Sequence, residues 1–495
     1  MNVNISDRPA EPDRGHRKKE DYLNGFDPLR DPKPTCRVFV TIAVAILLAS
    51  CAAYGPYHAN IPGEPLKSIR GPKDGRYKMA FIEFGDQGSP LDNYQRKAAL
   101  EMIHEAKRPL LFVYIHGWQN NAISSDVCRF EHFLDSVSRS AEFAGRKVHV
   151  LGVYVAWRGT TLTVPGLKFF TFWSRKSAGE GIAAANSCLS TLQELAIVAR
   201  EPGKDYHRTV LLGHSFGALV LGNTISHSIL GSSSPWDMAV AFNSAASSVN
   251  TRQLMQELDY LYKYDPQRRA YVSRSNLGGT ETRTIPENRP AIVFLQSEND
   301  VATTTAFPLG QEFYNTINLR YHWQKVPVPG HHADRVSERE FYDRTPGNNK
   351  YLVNYQVVPQ GEMAPPPGLK ETQNRAFEAN VTYNHPDYAF YTSEHNDGHE
   401  EKFCRNDEYD SDAFRPPTGK EIWRRWKFEY TGNARVPCWI VRVPKDIISG
   451  HGGLWSDNSV AMLGALLRIQ FPLPGGGKGA TPEPITAPDT PDLQR

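Results

Sequence analysis

The segment best suited to chemistry is Gly213-His214-Ser215-Phe216-Gly217. A serine hydroxyl is a weak nucleophile until a base takes its proton and donors stabilise the oxyanion it creates. The surroundings suit that task. Thr209–Leu212 is a short apolar run, and the residues after Gly217, ALVLGNTISHSIL, read as a buried helix. A serine on such a sharp strand-to-helix turn exposes its hydroxyl, and glycine on both flanks removes the Cβ atoms that would collide with neighbouring backbone. The helix amino end adds free N–H groups and a positive dipole. The plainer alternative is a Gly/Ser turn that merely opens a helix.

Other residues have the types such a serine needs. His116-Gly117-Trp118-Gln119-Asn120-Asn121 follows the apolar run Leu110–Ile115. Glu298 and Asp300 follow the run Ala291–Leu295. Of the 16 histidines, His451 lies in a glycine-lined loop, Ser449-Gly450-His451-Gly452-Gly453. His331 and His332 are its rivals. His395 and His399 form either a metal pair or a solvated polar loop, and the second reading is preferred. Arg158, at the end of the run Val148–Trp157, either binds an anionic substrate group or pairs with a structural carboxylate.

The elements that must position these residues follow from apolar patterning. Continuous runs at Met79–Phe84, Leu110–Ile115, Val148–Trp157, Thr209–Leu212, Met238–Phe242, Ala291–Leu295 and Pro437–Val443 read as strands buried on both faces. Helical stretches at Asp92–Ala106, Asp126–Ala144, Ala178–Arg200, Phe216–Ile229 and Val460–Ile469 alternate with them. That alternation predicts an α/β fold with a mostly parallel central sheet flanked by helices. Residues 310–432 break the pattern, being rich in Pro, Asn and charge, and read as a large insertion or lid before the last strand.

In this order the motifs resemble the α/β-hydrolase superfamily, in particular exported serine esterases and lipase-like proteins. The resemblance spans residues 79–470, apart from the insertion, and rests on His116-Gly117, the Gly213–Gly217 turn, Asp300 and His451. It implies that Ser215 is the nucleophile, His451 the base and Asp300 the acid that orients it, with Glu298 second. It implies an oxyanion hole made by the backbone N–H groups of Trp118 and Phe216, with His116 as a brace or a substrate contact. It implies transfer of an acyl group from an ester to water, with no metal and no organic cofactor. A thioesterase, acyltransferase or peptidase would use the same groups, and a non-catalytic binding scaffold would use the fold alone.

Residues 1–36 are polar and charged and read as disordered. The apolar run VFVTIAVAILLAS, Val38–Ser50, is too short to cross a roughly 30 Å hydrocarbon core but fits a secretory signal. It ends in Leu48-Ala49-Ser50-Cys51, which resembles the lipobox of bacterial lipoproteins. That resemblance implies diacylglycerol on Cys51 and anchoring to the cell envelope, with Ala52 favouring the outer membrane. Residues 52–78 read as a tether and 471–495 as a disordered Pro/Gly-rich tail. Export would leave Cys128, Cys188, Cys404 and Cys438 either paired as 128 with 188 and 404 with 438, or free and buried. Lys and Arg total 56 against 54 Asp and Glu, so no nucleic-acid partner is expected. Mean hydropathy of −0.49 excludes a polytopic membrane protein.

Overall fold

The computed structural model describes residues 55–140, 147–161, 171–230, 234–274, 284–317, 324–365, 375–382, 388–395, 404–405, 408–409 and 421–471. The expectations for the 1–36 segment, the signal with Cys51, His399 and the tail lie outside them. So do the side chains of His332 and His395.

Each apolar run forms the strand its composition dictates. After a two-residue edge strand, β1 (Ile69–Arg70), come β2 (Tyr77–Phe84), β3 (Pro109–Ile115), β4 (His149–Trp157), β5 (Arg208–His214) and β6 (Met238–Phe242). A small three-stranded sheet, β7 (Tyr262–Asp265), β8 (Ala270–Ser273) and β9 (Thr284–Pro286), precedes β10 (Ile292–Ser297). Then come a hairpin, β11 (Lys325–Val328) and β12 (His331–Ser337), followed by β13 (Tyr355–Met363), β14 (Ala389–His395), the short β15 (Cys404–Arg405) and β16 (Glu408–Tyr409), β17 (Glu421–Tyr430) and β18 (Cys438–Val443). The main sheet has eleven strands in the order β1-β2-β4-β3-β5-β6-β10-β18-β13-β17-β14. Every pairing from β2 across to β13 is parallel. All seven residues of β3 and all five of β6 are buried, as strands covered on both faces require.

The helices on the two faces are α1 (Asn93–Glu105), α2 (Ser125–Arg139), α3 (Phe172–Ala184), α4 (Asn186–Ala199), α5 (Phe216–Leu230), α6 (Ser248–Leu261), α7 (Phe307–Ile317), α8 (Arg339–Tyr342), α9 (Arg375–Thr382) and α10 (Asp457–Gln470). With helices packed on both faces of a mostly parallel sheet, this is the α/β architecture that the alternation of strands and helices predicts.

Four expectations need correction. The helix read as Ala178–Arg200 is two helices bent by 59° at Ala185, whose ψ of 126° is extended. The turn after β2 presses there, since a Cβ on Gly88 would lie 2.3 Å from Ala185 Cβ. The insertion before β18 is not a separate lid. It adds β13, β17 and β14 to the sheet, and its helix α9 packs Phe377 against Gly464 of α10. The tether is folded through most of its length. His58 stacks on Phe81 with centroids 4.0 Å apart, the His58 N–H donates to Glu83 Oε1 (2.8 Å), and Asn60 and Ser68 bond each other. Neither cysteine pairing forms: Cys188 and Cys438 are free and buried, and Cys128 is disulfide-bonded.

Candidate active site

The turn between β5 and α5 holds Ser215 at φ 56°, a left-handed conformation that a non-glycine residue adopts only under constraint. The constraints are visible. Ser215 N–H donates to Phe242 O of β6 (3.0 Å), and Ser215 O accepts from Ala218, Leu219 and Ala245. A Cβ on Gly217 would lie 2.0 Å from Ile115 O, and one on Gly213 would lie 2.7 Å from Gly217 O. Both glycines are therefore required for the start of α5 to nest against the end of β3. Gly117 is as tight, its missing Cβ falling 2.8 Å from Ser215 Cβ.

The loops after β10 and β18 converge on this hydroxyl. Ser215 Oγ–H donates to His451 Nε2 (2.8 Å), and His451 Nδ1–H donates to Asp300 Oδ2 (2.9 Å). The three side chains are separated by 85 and 151 residues along the chain, yet form one hydrogen-bonded relay. Asp300 is fully buried, whereas the His451 side chain is 29% exposed. Burial raises the Asp300 carboxyl, but the bond and charge of His451 and two hydrogen bonds from Thr303 outweigh it and leave it lowered. Gln296 Nε2 also donates to Asp300 Oδ2 (3.0 Å). Glu298 is exposed and its N–H donates to Val443 O, so it does not take the acid's place. His331 stands exposed on the β11–β12 hairpin, whereas His451 is the imidazole bonded to Ser215.

The N–H groups of Trp118 and Phe216 have no acceptor among the described residues. Phe216 follows Ser215 directly in the first turn of α5, and Trp118 follows Gly117, whose missing Cβ would lie 2.8 Å from Ser215 Cβ. The Trp118 ring packs against those of Phe172 and Phe216, at 5.6 and 6.2 Å, and its Nε1 donates to Thr171 (3.2 Å). His116 is corrected from substrate contact to brace. It is fully buried, its Nε2 accepts from Trp157 N–H (3.0 Å), its Nδ1–H donates to Gly117 O (2.9 Å), and burial lowers its pKa. Arg158 is half-buried directly after β4, and its carbonyl accepts from Arg175, which makes a two-pronged bridge to Asp86 at 2.8 Å per bond.

Several bracing residues were not foreseen. Asn243, at φ 43° just after β6, donates to both Gly450 O and His451 O (3.0 Å each) and accepts from Ser297 N–H (2.9 Å). His214 Nε2–H donates to His451 O (2.7 Å). Burial, and then the nearby His451, push the His214 ring down to about 4, so it is a neutral donor at pH 7. Asn299 Oδ1 accepts from Gly450 N–H (2.7 Å). Farther along the same loop, Trp455 Nε1 donates to the buried Asp126, which also accepts from Tyr114 and Tyr154. Asn243 had a weak signal, an Asn-Ser pair ending an apolar strand, a position where left-handed backbone favours asparagine.

No family model matches this chain, and no curated protein does. Among solved structures the chain is similar to Est1E from Butyrivibrio proteoclasticus, with 11% identity over 41% of this chain and 75% of that one and a TM-score of 0.19. It is similar to phospholipase PlaB from Legionella pneumophila, with 12% identity over 51% of this chain and 46% of that one and a TM-score of 0.23. It is also similar to an extracellular alpha/beta-hydrolase from a Paenibacillus species, with 16% identity over 38% of this chain and 79% of that one and a TM-score of 0.16.

Proposed function

We propose that this protein is a serine hydrolase that cleaves carboxylic esters through an acyl-enzyme, anchored to the bacterial envelope by lipid on Cys51. The unbroken relay Ser215–His451–Asp300 is the observation that carries this reading. In the first half-reaction His451 Nε2 takes the Ser215 proton as Oγ bonds to the ester carbonyl carbon. The carbonyl oxygen becomes an oxyanion, held by the Trp118 and Phe216 N–H groups. Each such donor contributes about 2.7–4 kcal/mol to the transition state. The imidazolium then passes its proton to the departing alkoxide, and the acyl group stays on Ser215. In the second half-reaction His451 deprotonates water, which attacks the acyl carbon, and the proton returns to Ser215 Oγ as the acid leaves. Asp300 stays ionised throughout, consistent with its lowered pKa, and offsets the positive ring.

The envelope reading is supported by the apolar run ending at Cys51 and by the disulfide at Cys128, which suits an oxidising compartment. Among the described residues no single helix is long and apolar enough to cross a membrane.

A fluorophosphonate probe tests the chemistry. It should label the wild-type chain at Ser215 and leave Ser215→Ala unlabelled. A folded wild-type sample that takes no label would refute the hydrolase. For the anchor, Cys51→Ser should move the protein from the membrane fraction to the soluble one, and unchanged retention would sink that part.

A further inference from the structure

Ser215 lies where the parallel strands end, and exposed apolar side chains gather on the same rim. Ile123 stands in the loop after β3. Val301 follows Asp300 directly, and Leu309 and Phe313 share one face of α7, four residues apart. Their exposures are 51, 68, 64 and 55%. Isolated exposed apolar residues are ordinary, but several beside one site call for a partner. The stretch is also nearly uncharged. From Val301 to Ile317 the only charged side chain is Glu312, and Arg339 pairs with it.

Helix α7 is held firmly in this position. Trp173 Nε1 donates to Gly310 O (3.1 Å), and the Trp173 ring lies 5.3 Å from that of Phe313. The Phe172 ring contacts Phe216 at 5.2 Å and Trp118 at 5.6 Å, the two residues that supply the oxyanion donors. The Trp173 and Phe172 rings also meet at 6.0 Å, so an aromatic seam runs from the exposed face of α7 to Trp118 and Phe216, the neighbours of Gly117 and Ser215.

The N-terminal segment indicates what covers this face. His58 Nε2 bonds Ala122 O (2.9 Å), next to Ile123, so the chain enters the folded body on the active-site rim. Only six residues lie between Cys51 and His58, a span of at most about 25 Å over seven steps of chain. Lipid on Cys51, as proposed above, would hold a lipid surface within that length of chain from His58.

We propose that this rim docks on a lipid surface, with Leu309 and Phe313 of α7 entering its apolar layer, and that Ser215 takes its ester from that layer. The inference deepens the hydrolase reading and rests on it for the substrate, but the docking face is testable without catalysis.

The test uses the full chain with an environment-sensitive fluorophore on Phe313→Cys, or on Tyr260→Cys, which is 68% exposed near the far end of α6. Added phosphatidylcholine vesicles should shift the emission of the label at 313 to the blue and leave that at 260 unchanged. No shift at 313, an equal shift at both positions, or a 313 signal that depends on protein concentration without lipid, as a second copy would give, overturns the proposal. Separately, Leu309→Asp with Phe313→Asp should slow turnover of a long-chain ester embedded in those vesicles about tenfold, while hydrolysis of a soluble short-chain aryl ester stays unchanged. Equal turnover of the vesicle ester by variant and wild type overturns it, as does an equal loss on both esters. If the wild-type chain cleaves neither ester, the hydrolase reading fails, and the fluorophore experiment still decides the docking face.

Discussion

Asn243 holds the backbone of the His451 loop at two successive carbonyls, and its removal has a cost that can be worked out. Its amide donates two hydrogen bonds to the carbonyls of Gly450 and His451, and its oxygen accepts the buried Ser297 N–H. Losing the two donations should cost about 2 kcal/mol, at about 1 kcal/mol net each. Leaving the Ser297 N–H without its acceptor adds about 1–3 kcal/mol. Asn243 is also left-handed, at φ 43°, so alanine there pays roughly 1 kcal/mol more than glycine would. Urea unfolding should therefore place Asn243→Gly about 3–5 kcal/mol below wild type and Asn243→Ala about 1 kcal/mol lower still. His214 still holds His451 O, so the loop stays attached but shifts, and a displacement of that kind should cut kcat on an aryl ester about 10²-fold with little change in KM. If Asn243→Gly unfolds within 1 kcal/mol of wild type and keeps kcat within about twofold, the bracing role is wrong.

Three further outcomes follow from the same geometry. Asp300→Asn should keep the fold but lower kcat by about 10³–10⁴-fold, because the amide no longer fixes the His451 tautomer; a fall of less than tenfold in aryl ester hydrolysis would remove Asp300 from the relay. Gly217→Ala should abolish activity and soluble expression, since its Cβ would meet the Ile115 carbonyl carried by β3, and an active variant would contradict the packing. His214, depressed from 6.5 to about 4, binds fewer protons folded than unfolded between those values, so it costs stability as pH falls through that window, by roughly 3 kcal/mol when complete. The midpoint of thermal unfolding should drop between pH 7 and pH 4.5, and less steeply in His214→Gln; identical slopes would mean that the ring titrates normally.

What could be read from the residues, and what could not, divides by range and by partner. Strands β2 to β6, β10 and β18 were legible because a strand covered on both faces must be apolar throughout, and Met238–Phe242 matches the observed bounds of β6. The alternating sequence of β17, EIWRRWKFEY, buries Trp423, Trp426 and Phe428 on one face only, and a search for continuous apolar runs passes over it. The segment before β2 misled for a different reason. Its Gly and Pro content suggests free chain, yet His58 and Asn60 are held by carboxylates of Glu83 and Asp92, and such polar contacts have no period to detect.

The same distinction runs through the site. Ser215 was legible because its neighbours must be glycine for local steric reasons. His451 and Asp300 could be ranked because loops after known strands are few. Asn243 reaches carbonyls 207 and 208 residues away, and nothing in its local sequence says which backbone it will meet. A hydrogen-bonded relay needs its members held in fixed positions, and here that holding is done by single polar contacts between distant loops: Asn243 and His214 on the His451 carbonyl, Asn299 on Gly450, Trp455 on Asp126. Each contact joins two segments that are far apart in sequence, at or just after the carboxyl ends of strands. Because parallel strands deliver these segments to one rim, the fold brings Ser215 and its bracing groups together even though they are scattered along the chain.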